Sequence, residues 1–214
     1  MSKRIALIRS LTAALFGTVV LMAAPAAQAS LIFDLTTDNC TGGCGTPPFG
    51  TVLLTQTGST VDVTVDLSGT NAFVVSGAGD GQAFKFNGTG IVLGDITVDA
   101  HIPGLQANAG TFSGDGGGLY GFGISCPSCG GGSSSAFSND IVFHVANATI
   151  ADLTHPNNLN FVFAADIIGS TGNTGLVLAT GEGRVPPTQV AEPGSLALLG
   201  LALAGLGFVR RRRQ

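Results

Sequence analysis

The chain contains no tryptophan and a single tyrosine, and charged residues make up only 10% of its 214 positions. Ordinary soluble domains carry about 25% charged residues. A helical bundle is therefore disfavoured, because it needs many Glu, Lys and Leu residues at helical spacing. Charge-driven disorder is disfavoured as well, because 44% of the residues are hydrophobic. Sugar-binding sites commonly use Trp or Tyr rings as a platform, and this chain offers only Tyr120 for that role.

Residues 1–29 are typical of a secretory signal peptide. Basic residues occur within the first nine positions, and an uncharged apolar run follows over 11–24. Ala27 and Ala29 place small side chains at the two positions that signal peptidase inspects, which predicts cleavage before Ser30. A retained membrane anchor is the alternative, and the well-formed cleavage site argues against it.

The C-terminus predicts a second membrane segment. An apolar run over 194–209 is followed at once by four arginines, Arg210, Arg211, Arg212 and Arg213. As a helix this run spans about 24 Å, and it inserts into a hydrocarbon core of about 30 Å if the arginines snorkel and the bilayer thins. The positive-inside rule then makes 210–214 a cytoplasmic tail. A buried core helix is the alternative, but such a helix rarely ends in four arginines without acidic partners.

The segment before the anchor resembles a known export signal. Residues 182–193 contain three prolines and no apolar periodicity, which predicts a stiff extended linker. The linker ends in Glu192 and Pro193, followed by the apolar run and the arginines. This arrangement resembles the PEP-CTERM sorting signal, with Ala191 where the family has its first proline. The resemblance implies a transient anchor in a Gram-negative bacterium, removed by the membrane protease exosortase during export to the cell surface or the exopolysaccharide matrix.

The body between these ends is strongly acidic. Residues 30–189 contain eleven Asp and one Glu against Lys85 and Arg184, a formal net charge of −10. Such a domain is repelled by phosphate backbones and anionic lipid headgroups. We therefore expect no nucleic-acid partner, and contact with the membrane only through the anchor. Thr-Thr-Asp-Asn-Cys at 36–40 and Phe-Ala-Ala-Asp at 163–166 also resemble domains found beside such anchors, which have no assigned activity.

The body, residues 30–181, alternates apolar and polar residues with a period of two. Val61, Val63 and Val65 alternate with Asp62 and Thr64, a pattern typical of a half-buried strand. Gly, Asn, Ser and Asp separate the predicted strands, which are 51–57, 61–67, 72–75, 82–87, 91–99, 119–124, 140–147, 159–168 and 175–180. A capped turn at 149–153 is the one predicted helix. The pattern predicts an all-β fold, an antiparallel β-sandwich or jelly roll of about nine strands.

The four cysteines form two close pairs, Cys40 with Cys44 and Cys126 with Cys129. In an exported protein they predict two disulfides. A four-thiolate zinc site and a redox-active CxxC motif are the alternatives. We favour pairing within each close pair, because the neighbouring glycines permit a tight backbone. Crossed pairing stays open, since it closes longer loops and contributes more stability.

The sequence contains no Gly-x-Ser-x-Gly elbow, no HExxH motif and no phosphate-binding loop. His101, His144 and His155 lack the spacing of a metal-ligand set and are predicted to be structural. Asp80 and Asp115 lie in glycine-rich stretches and are weak candidates for calcium ligands, with plain turns as the alternative.

Together these features predict a non-catalytic exported protein of the cell surface or extracellular matrix, without a cofactor. Signal peptidase and exosortase are its expected processing enzymes. The alternative is a carbohydrate- or calcium-dependent binding module acting on extracellular polysaccharide. A third class is a secreted hydrolase that uses two aspartates on one face of a strand, such as Asp62 and Asp66.

Overall fold

The computed structural model describes residues 28–99 and 104–187. The predicted signal peptide up to Ala27, the sorting motif, the anchor and His101 lie outside the described residues. Residues 28–191 form one compact unit. Both disulfides and the hydrophobic core lie within its described part.

Twelve strands and one short helix make up the described part of the chain. In chain order the elements are β1 (Ser30–Leu35), β2 (Thr37–Cys40), β3 (Gly50–Thr57), β4 (Thr60–Leu67), β5 (Ala72–Phe73), β6 (Phe84–Phe86), β7 (Ile96–Val98), β8 (Gln106–Gly114), β9 (Gly118–Ser125), β10 (Ile141–Ala146), α1 (Ile150–Leu153), β11 (Phe161–Ile168) and β12 (Thr174–Thr180).

The strands form two antiparallel sheets. Sheet A has the order β1-β3-β4-β10-β7, and sheet B has the order β2-β12-β11-β6-β9-β8, with β5 paired to β11. Apolar side chains from both sheets meet in one core. Phe143 of sheet A, for example, packs against Phe84 and Phe86 of sheet B, with ring centroids 6.1 and 5.1 Å apart. The fold is an all-β sandwich, as the sequence pattern predicts.

The period-two pattern places the core residues of β4 as expected. Val61, Val63 and Val65 are buried, while Asp62 and Thr64 lie on the outer face of sheet A. Thr149 and Asp152 form a capping box at the start of α1, which satisfies backbone donors of this short helix. Both features follow from local sequence alone.

Other segments differ from the predicted strands. The pattern misses β1, β2 and β8 altogether. It also predicts one strand over 91–99, whereas Leu93–Asp95 form a 3-10 turn and only Ile96–Val98 pair with β10. The Asp95 carboxylate accepts a hydrogen bond from the Val92 amide at 2.9 Å and closes this turn. Hydrogen bonds from a side chain to the nearby backbone compete with strand pairing. Here the bond between Asp95 and Val92 replaces strand pairing over Leu93–Asp95.

Strand β11, which lies within the predicted strand 159–168, is an inner strand of sheet B but is not regular. The register against β12 shifts between Phe161 and Phe163. Because of this bulge, Val162 joins the core between the sheets with Phe163, whereas Phe161 packs with Ala164 on the outer face. A regular strand would place Phe161 and Phe163 on one face and Val162 and Ala164 on the other, and the bulge prevents this. One extra residue in a bulge reverses the faces on either side of it.

The two sides of the sandwich are closed differently. On one side Thr36 alone separates β1 of sheet A from β2 of sheet B, and its amide donates to the Leu178 carbonyl at 3.0 Å. Arg184, which lies in the predicted linker, covers the edge of β1. Its backbone exchanges two hydrogen bonds of 2.8 Å with Ile32, and its guanidinium binds the Asp34 carboxylate at 2.9 and 3.0 Å. On the other side, β7 and β8 are the terminal strands of the two sheets.

The register of β4 provides a direct test of the sandwich. Val63 is 1% exposed, so Val63→Asp buries an unpaired charge, and we expect it to reduce the free energy of unfolding by more than about 3 kcal/mol. Thr64→Asp places the same carboxylate on the outer face and is expected to cost less than about 1 kcal/mol. Urea midpoints of the two variants provide the measurement. Similar shifts for both would show that the register is wrong.

Candidate functional site

A cluster of titratable side chains lies on the outer face of sheet A. His144 of β10 stands between Asp62 of the neighbouring strand β4 and Asp99, which follows β7. Its Nδ1 lies 2.7 Å from Asp62 Oδ1 and its Nε2 lies 2.9 Å from Asp99 Oδ1. Thr57 donates a hydrogen bond of 2.7 Å to the other oxygen of Asp62. The cluster therefore ties together β4, β10 and the terminal strand β7.

The electrostatics of the cluster favour a charged histidine. The hydrogen bond to Asp62 raises the pKa of His144, partial burial opposes this, and the charge of Asp99 raises the pKa further. For Asp62, partial burial raises the pKa, but the hydrogen bonds from Thr57 and His144 outweigh it and lower the pKa overall. An imidazolium donates to both carboxylates at once, whereas a neutral imidazole donates to only one. The three side chains are 37–39% exposed, so water screens the interaction.

Asp62 and Asp66 do not form a pair. Four residues along a strand correspond to about 13 Å, and Asp62 is bonded to Thr57 and His144 instead. Both ring nitrogens of His144 are engaged with carboxylates. His144, Asp62 and Asp99 thus form a hydrogen-bonded cluster that links neighbouring strands, and this cluster is called the His144 clamp.

The outer face of sheet B is covered by the tip of the β8–β9 hairpin. Tyr120 packs there with Ala164, Leu176 and Leu178 in a second, smaller apolar cluster. A Cβ atom on Gly117 would lie 2.8 Å from Leu178 Cδ2, closer than real Cβ contacts, so either the Leu178 side chain or the hairpin would have to shift to accept a side chain there. The glycine-rich sequence at 114–118 thus permits the hairpin to lie flat on the sheet.

Beneath this cover lies a buried cation. Lys85 of β6 projects from the face opposite Phe84 and Phe86, has no exposed surface, and donates to the Ser113 carbonyl at 3.2 Å. Burial lowers its pKa to about 8, against the opposing charges of Asp166, Asp80 and Asp115. The charges of these three carboxylates thus favour the protonated form of Lys85 against the cost of burial.

Asp166 of β11 is the buried member of this acidic group. Its Oδ2 accepts the Ser76 amide at 2.6 Å, while Oδ1 has no hydrogen-bond partner among the described residues. Burial raises its pKa to about 6, with the Ser76 hydrogen bonds and the Lys85 charge opposing the rise. Burying one of these charges without an opposite charge nearby would carry a large desolvation cost, and the charges of Lys85 and Asp166 oppose that cost for each other.

The two calcium candidates lie in neighbouring loops. The Asp80 carboxylate accepts the Ser113 amide at 3.0 Å, and the Asp115 amide donates to the Ala78 carbonyl at 3.2 Å. Loop 76–82 and the hairpin tip are therefore in contact. These bonds give Asp80 a role in holding the hairpin, and its role as a calcium ligand stays a prediction.

The cysteines are bonded within each close pair. Cys40 is joined to Cys44 and Cys126 to Cys129, with Cα atoms 5.5 and 5.3 Å apart. Asp38 accepts the amides of Cys40 and Cys44, each at 2.9 Å. Across residues 28–99 and 104–187, these three residues are the only cluster of potential metal ligands. The sulfur atoms of Cys40 and Cys44 are already joined in a disulfide. Together with the two hydrogen bonds to Asp38, the disulfide fixes the conformation of this loop.

Sequence reasoning missed both buried and exposed charge clusters. His144 is predicted to be structural, but its two aspartates are 82 and 45 residues away in sequence, and no local spacing indicates them. For Lys85 a local signal exists, because it lies between two core phenylalanines in a strand. Asp166 sits likewise in an apolar strand. A lone charge within a strand that is apolar on both sides indicates a buried charge that needs a partner.

A comparison with known protein families finds a match at the C-terminal end of the chain. The family model of the PEP-CTERM protein-sorting motif matches residues 189–213. The chain carries a PEP-CTERM sorting motif. It is therefore an exported protein with a transient membrane anchor that exosortase processes. No curated protein and no solved structure matches the chain.

The PEP-CTERM motif begins soon after the described domain in sequence. Four residues, 185–188, lie between Arg184, which is bonded to β1, and the start of the matched segment at residue 189. Within the described ranges, no helix is long and apolar enough to cross a membrane.

The His144 clamp makes a pH-dependent prediction. Because the pKa of His144 is raised in the folded protein, the clamp stabilises the fold below the usual value of 6.5. That contribution is lost as pH rises through the folded pKa. We expect NMR titration to give a His144 pKa above 6.5, lowered by Asp62→Asn and by Asp99→Asn. The effect on stability stays below about 1 kcal/mol, because the cluster is partly exposed.

Asp66→Asn is the matched control for this titration. Asp66 lies on the same strand and is exposed, but it is too far along β4 to touch His144. We expect the His144 pKa to be unchanged in this variant. A shift as large as that of Asp62→Asn would mean that general surface charge, and not the clamp, sets the pKa.

Proposed function

We propose that this protein is a non-catalytic structural component of the cell surface or extracellular matrix of a Gram-negative bacterium. The observation that carries the proposal is the PEP-CTERM motif at 189–213, which follows a compact disulfide-bonded domain in the sequence. Exosortase would release this domain from its anchor after export.

The chemistry of the domain supports a structural role. His144 uses both ring nitrogens for cross-strand bonds, and Lys85 is buried beneath the β8–β9 hairpin. A net charge of −10 over residues 30–189 keeps the domain soluble. Two local disulfides suit an oxidising extracytoplasmic compartment.

A calcium-dependent binding module for extracellular polysaccharide is the second candidate. The contact between loop 76–82 and the hairpin tip favours it, because this contact brings the Asp80 and Asp115 segments side by side. Carboxylate and backbone oxygens are the ligands that Ca²⁺ prefers.

Intact-mass measurement of surface material tests the processing. We expect a chain that starts at Ser30 and lacks Arg210–Arg213, because signal peptidase and exosortase remove the two ends. A variant with Glu192 and Pro193 replaced by Ala should retain its C-terminus and stay in the membrane fraction. Recovery of the full-length wild-type chain outside the inner membrane would contradict exosortase processing.

A glycan array, run with Ca²⁺ and with a chelator, separates the two functions. For a structural component we expect no retention under either condition. Calcium-dependent retention that is lost in Asp80→Asn and Asp115→Asn would establish the binding module instead. Ala151→Glu, which changes an exposed residue of α1, is the control for a general effect of surface substitution.

A further inference from the structure

Two Asp-Gly pairs occur in the chain, and the structure holds them differently. Asp80–Gly81 lies in loop 76–82, and Asp115–Gly116 lies at the tip of the β8–β9 hairpin. Both aspartates are exposed, and both glycines have positive φ angles, 74° for Gly81 and 69° for Gly116. Because glycine has no side chain to hinder its amide, its nitrogen can approach the preceding aspartate side chain closely. The two pairs have the same chemistry, and their hydrogen bonds distinguish them.

Both reacting groups of Asp80–Gly81 are held by hydrogen bonds. The Asp80 carboxylate accepts the Ser113 amide at 3.0 Å, and the Gly81 amide donates to the Ser76 carbonyl at 3.2 Å. Attack of the Gly81 nitrogen on the carboxyl carbon of Asp80 would first have to break both hydrogen bonds. Polar groups that lose their partners carry a cost in free energy, so this pair is protected.

The reacting groups of Asp115–Gly116 are not held. Within the part of the chain that the structure describes, neither the Asp115 carboxylate nor the Gly116 amide takes part in a hydrogen bond. Asp115 is bonded through its backbone instead. Its amide donates to the Ala78 carbonyl at 3.2 Å, and its carbonyl accepts the Asn39 side-chain amide at 3.4 Å. A nucleophile and an electrophile are therefore available at adjacent positions of an exposed turn.

We propose that Asp115–Gly116 is a site of spontaneous isoaspartate formation in the folded protein, and that this modification loosens the hairpin cover over Lys85. The Gly116 nitrogen attacks Cγ of the protonated Asp115 carboxyl group. The amide proton and the carboxyl hydroxyl leave as one water molecule, and a succinimide ring forms. A second water molecule opens the ring at the main-chain carbonyl of Asp115. The chain then runs through the former side chain, and its mass is unchanged. The inference goes beyond the proposed function and does not depend on it.

The modification lengthens the main chain where the hairpin covers Lys85. An isoaspartyl linkage adds one methylene group to the main chain after Asp115. The hairpin tip is attached on both sides of this point, by the bond from the Asp115 amide to Ala78 and by Asn157, whose side chain donates to the Gly117 carbonyl at 2.6 Å. A longer main chain strains these two attachments. We therefore expect the modified hairpin to open more often and to admit water and reagents to Lys85.

Ageing of the mature exported protein in buffer at physiological temperature tests the proposal. Peptide mapping with electron-transfer fragmentation distinguishes isoaspartate from aspartate at each position. We expect isoaspartate to accumulate at Asp115 at least about tenfold faster than at Asp80, because reaction at Asp80 must break two hydrogen bonds. The same protein unfolded in urea is the matched control. There the two sites should react at similar rates, since the fold no longer holds either of them.

Two substitutions at the exposed Asp115 position test the chemistry of the ring. Asp115→Glu lengthens the side chain, so that attack would form a less favourable six-membered ring, and it should abolish isoaspartate at this position. Asp115→Asn keeps the five-membered ring and has a better leaving group, so it should react faster and show the mass gain of deamidation. Conversion at Asn87–Gly88, where the Asn87 side-chain oxygen accepts the Gly121 amide at 2.9 Å, maps to a different peptide and is counted separately.

The reactivity of Lys85 provides the second measurement. An amine-acylating reagent should label Lys85 faster in aged wild-type protein than in equally aged Asp115→Glu, while the two fresh proteins should be labelled alike. Equal rates of isoaspartate formation at Asp80 and Asp115 in the folded protein would overturn the proposed site. So would the absence of isoaspartate at Asp115 over a period in which the unfolded chain converts at both sites. Equal labelling of Lys85 in the two aged proteins would overturn the loosening of the cover.

Discussion

The packing of phenylalanine rings between the two sheets is the contact on which the remaining structure depends. Phe143 of sheet A stacks on Phe86 of sheet B, and Phe33 of sheet A meets Phe163 of sheet B edge-to-face at 5.1 Å. Within sheet B, Phe84 stacks on Phe163 at 5.8 Å. Such rings contribute large buried areas and preferred mutual geometries. The chain has no tryptophan, and these phenylalanine rings fill the core where many β-sandwiches have a buried tryptophan. These contacts fix the two sheets face to face and leave the outer face of each sheet for the charged side chains.

Those outer faces are organised in opposite ways. The outer face of sheet A is open to water, and its charges are arranged as a partly exposed clamp around His144. The outer face of sheet B is closed by a glycine-rich hairpin, and its charges, Lys85 and Asp166, are fully buried. The difference follows from the glycine-rich β8–β9 hairpin tip, which packs closely against Leu178 because Gly117 has no side chain. The same fold therefore contains one wet and one dry electrostatic cluster.

How far the sequence predicts this structure depends on how local each feature is. The alternation around Val63, the capping box at Thr149 and the bonding within each cysteine pair involve residues close together in the chain, and the structure contains all three. β1 and β2 escape prediction because their partners β3 and β12 are distant and their own alternation is short. The bulge at Phe161 and the clamp at His144 depend on the register between strands, which no single segment encodes.

The bond between Arg184 and β1 has a mechanical consequence for a protein that is held by its C-terminus. A pull on the chain beyond residue 187 reaches Ile32 and Asp34 through two backbone hydrogen bonds and a bidentate ion pair, before it reaches β12. β1 in turn is paired with β3 over six residues. Part of the tension is thus carried sideways into sheet A before it reaches β12 in sheet B.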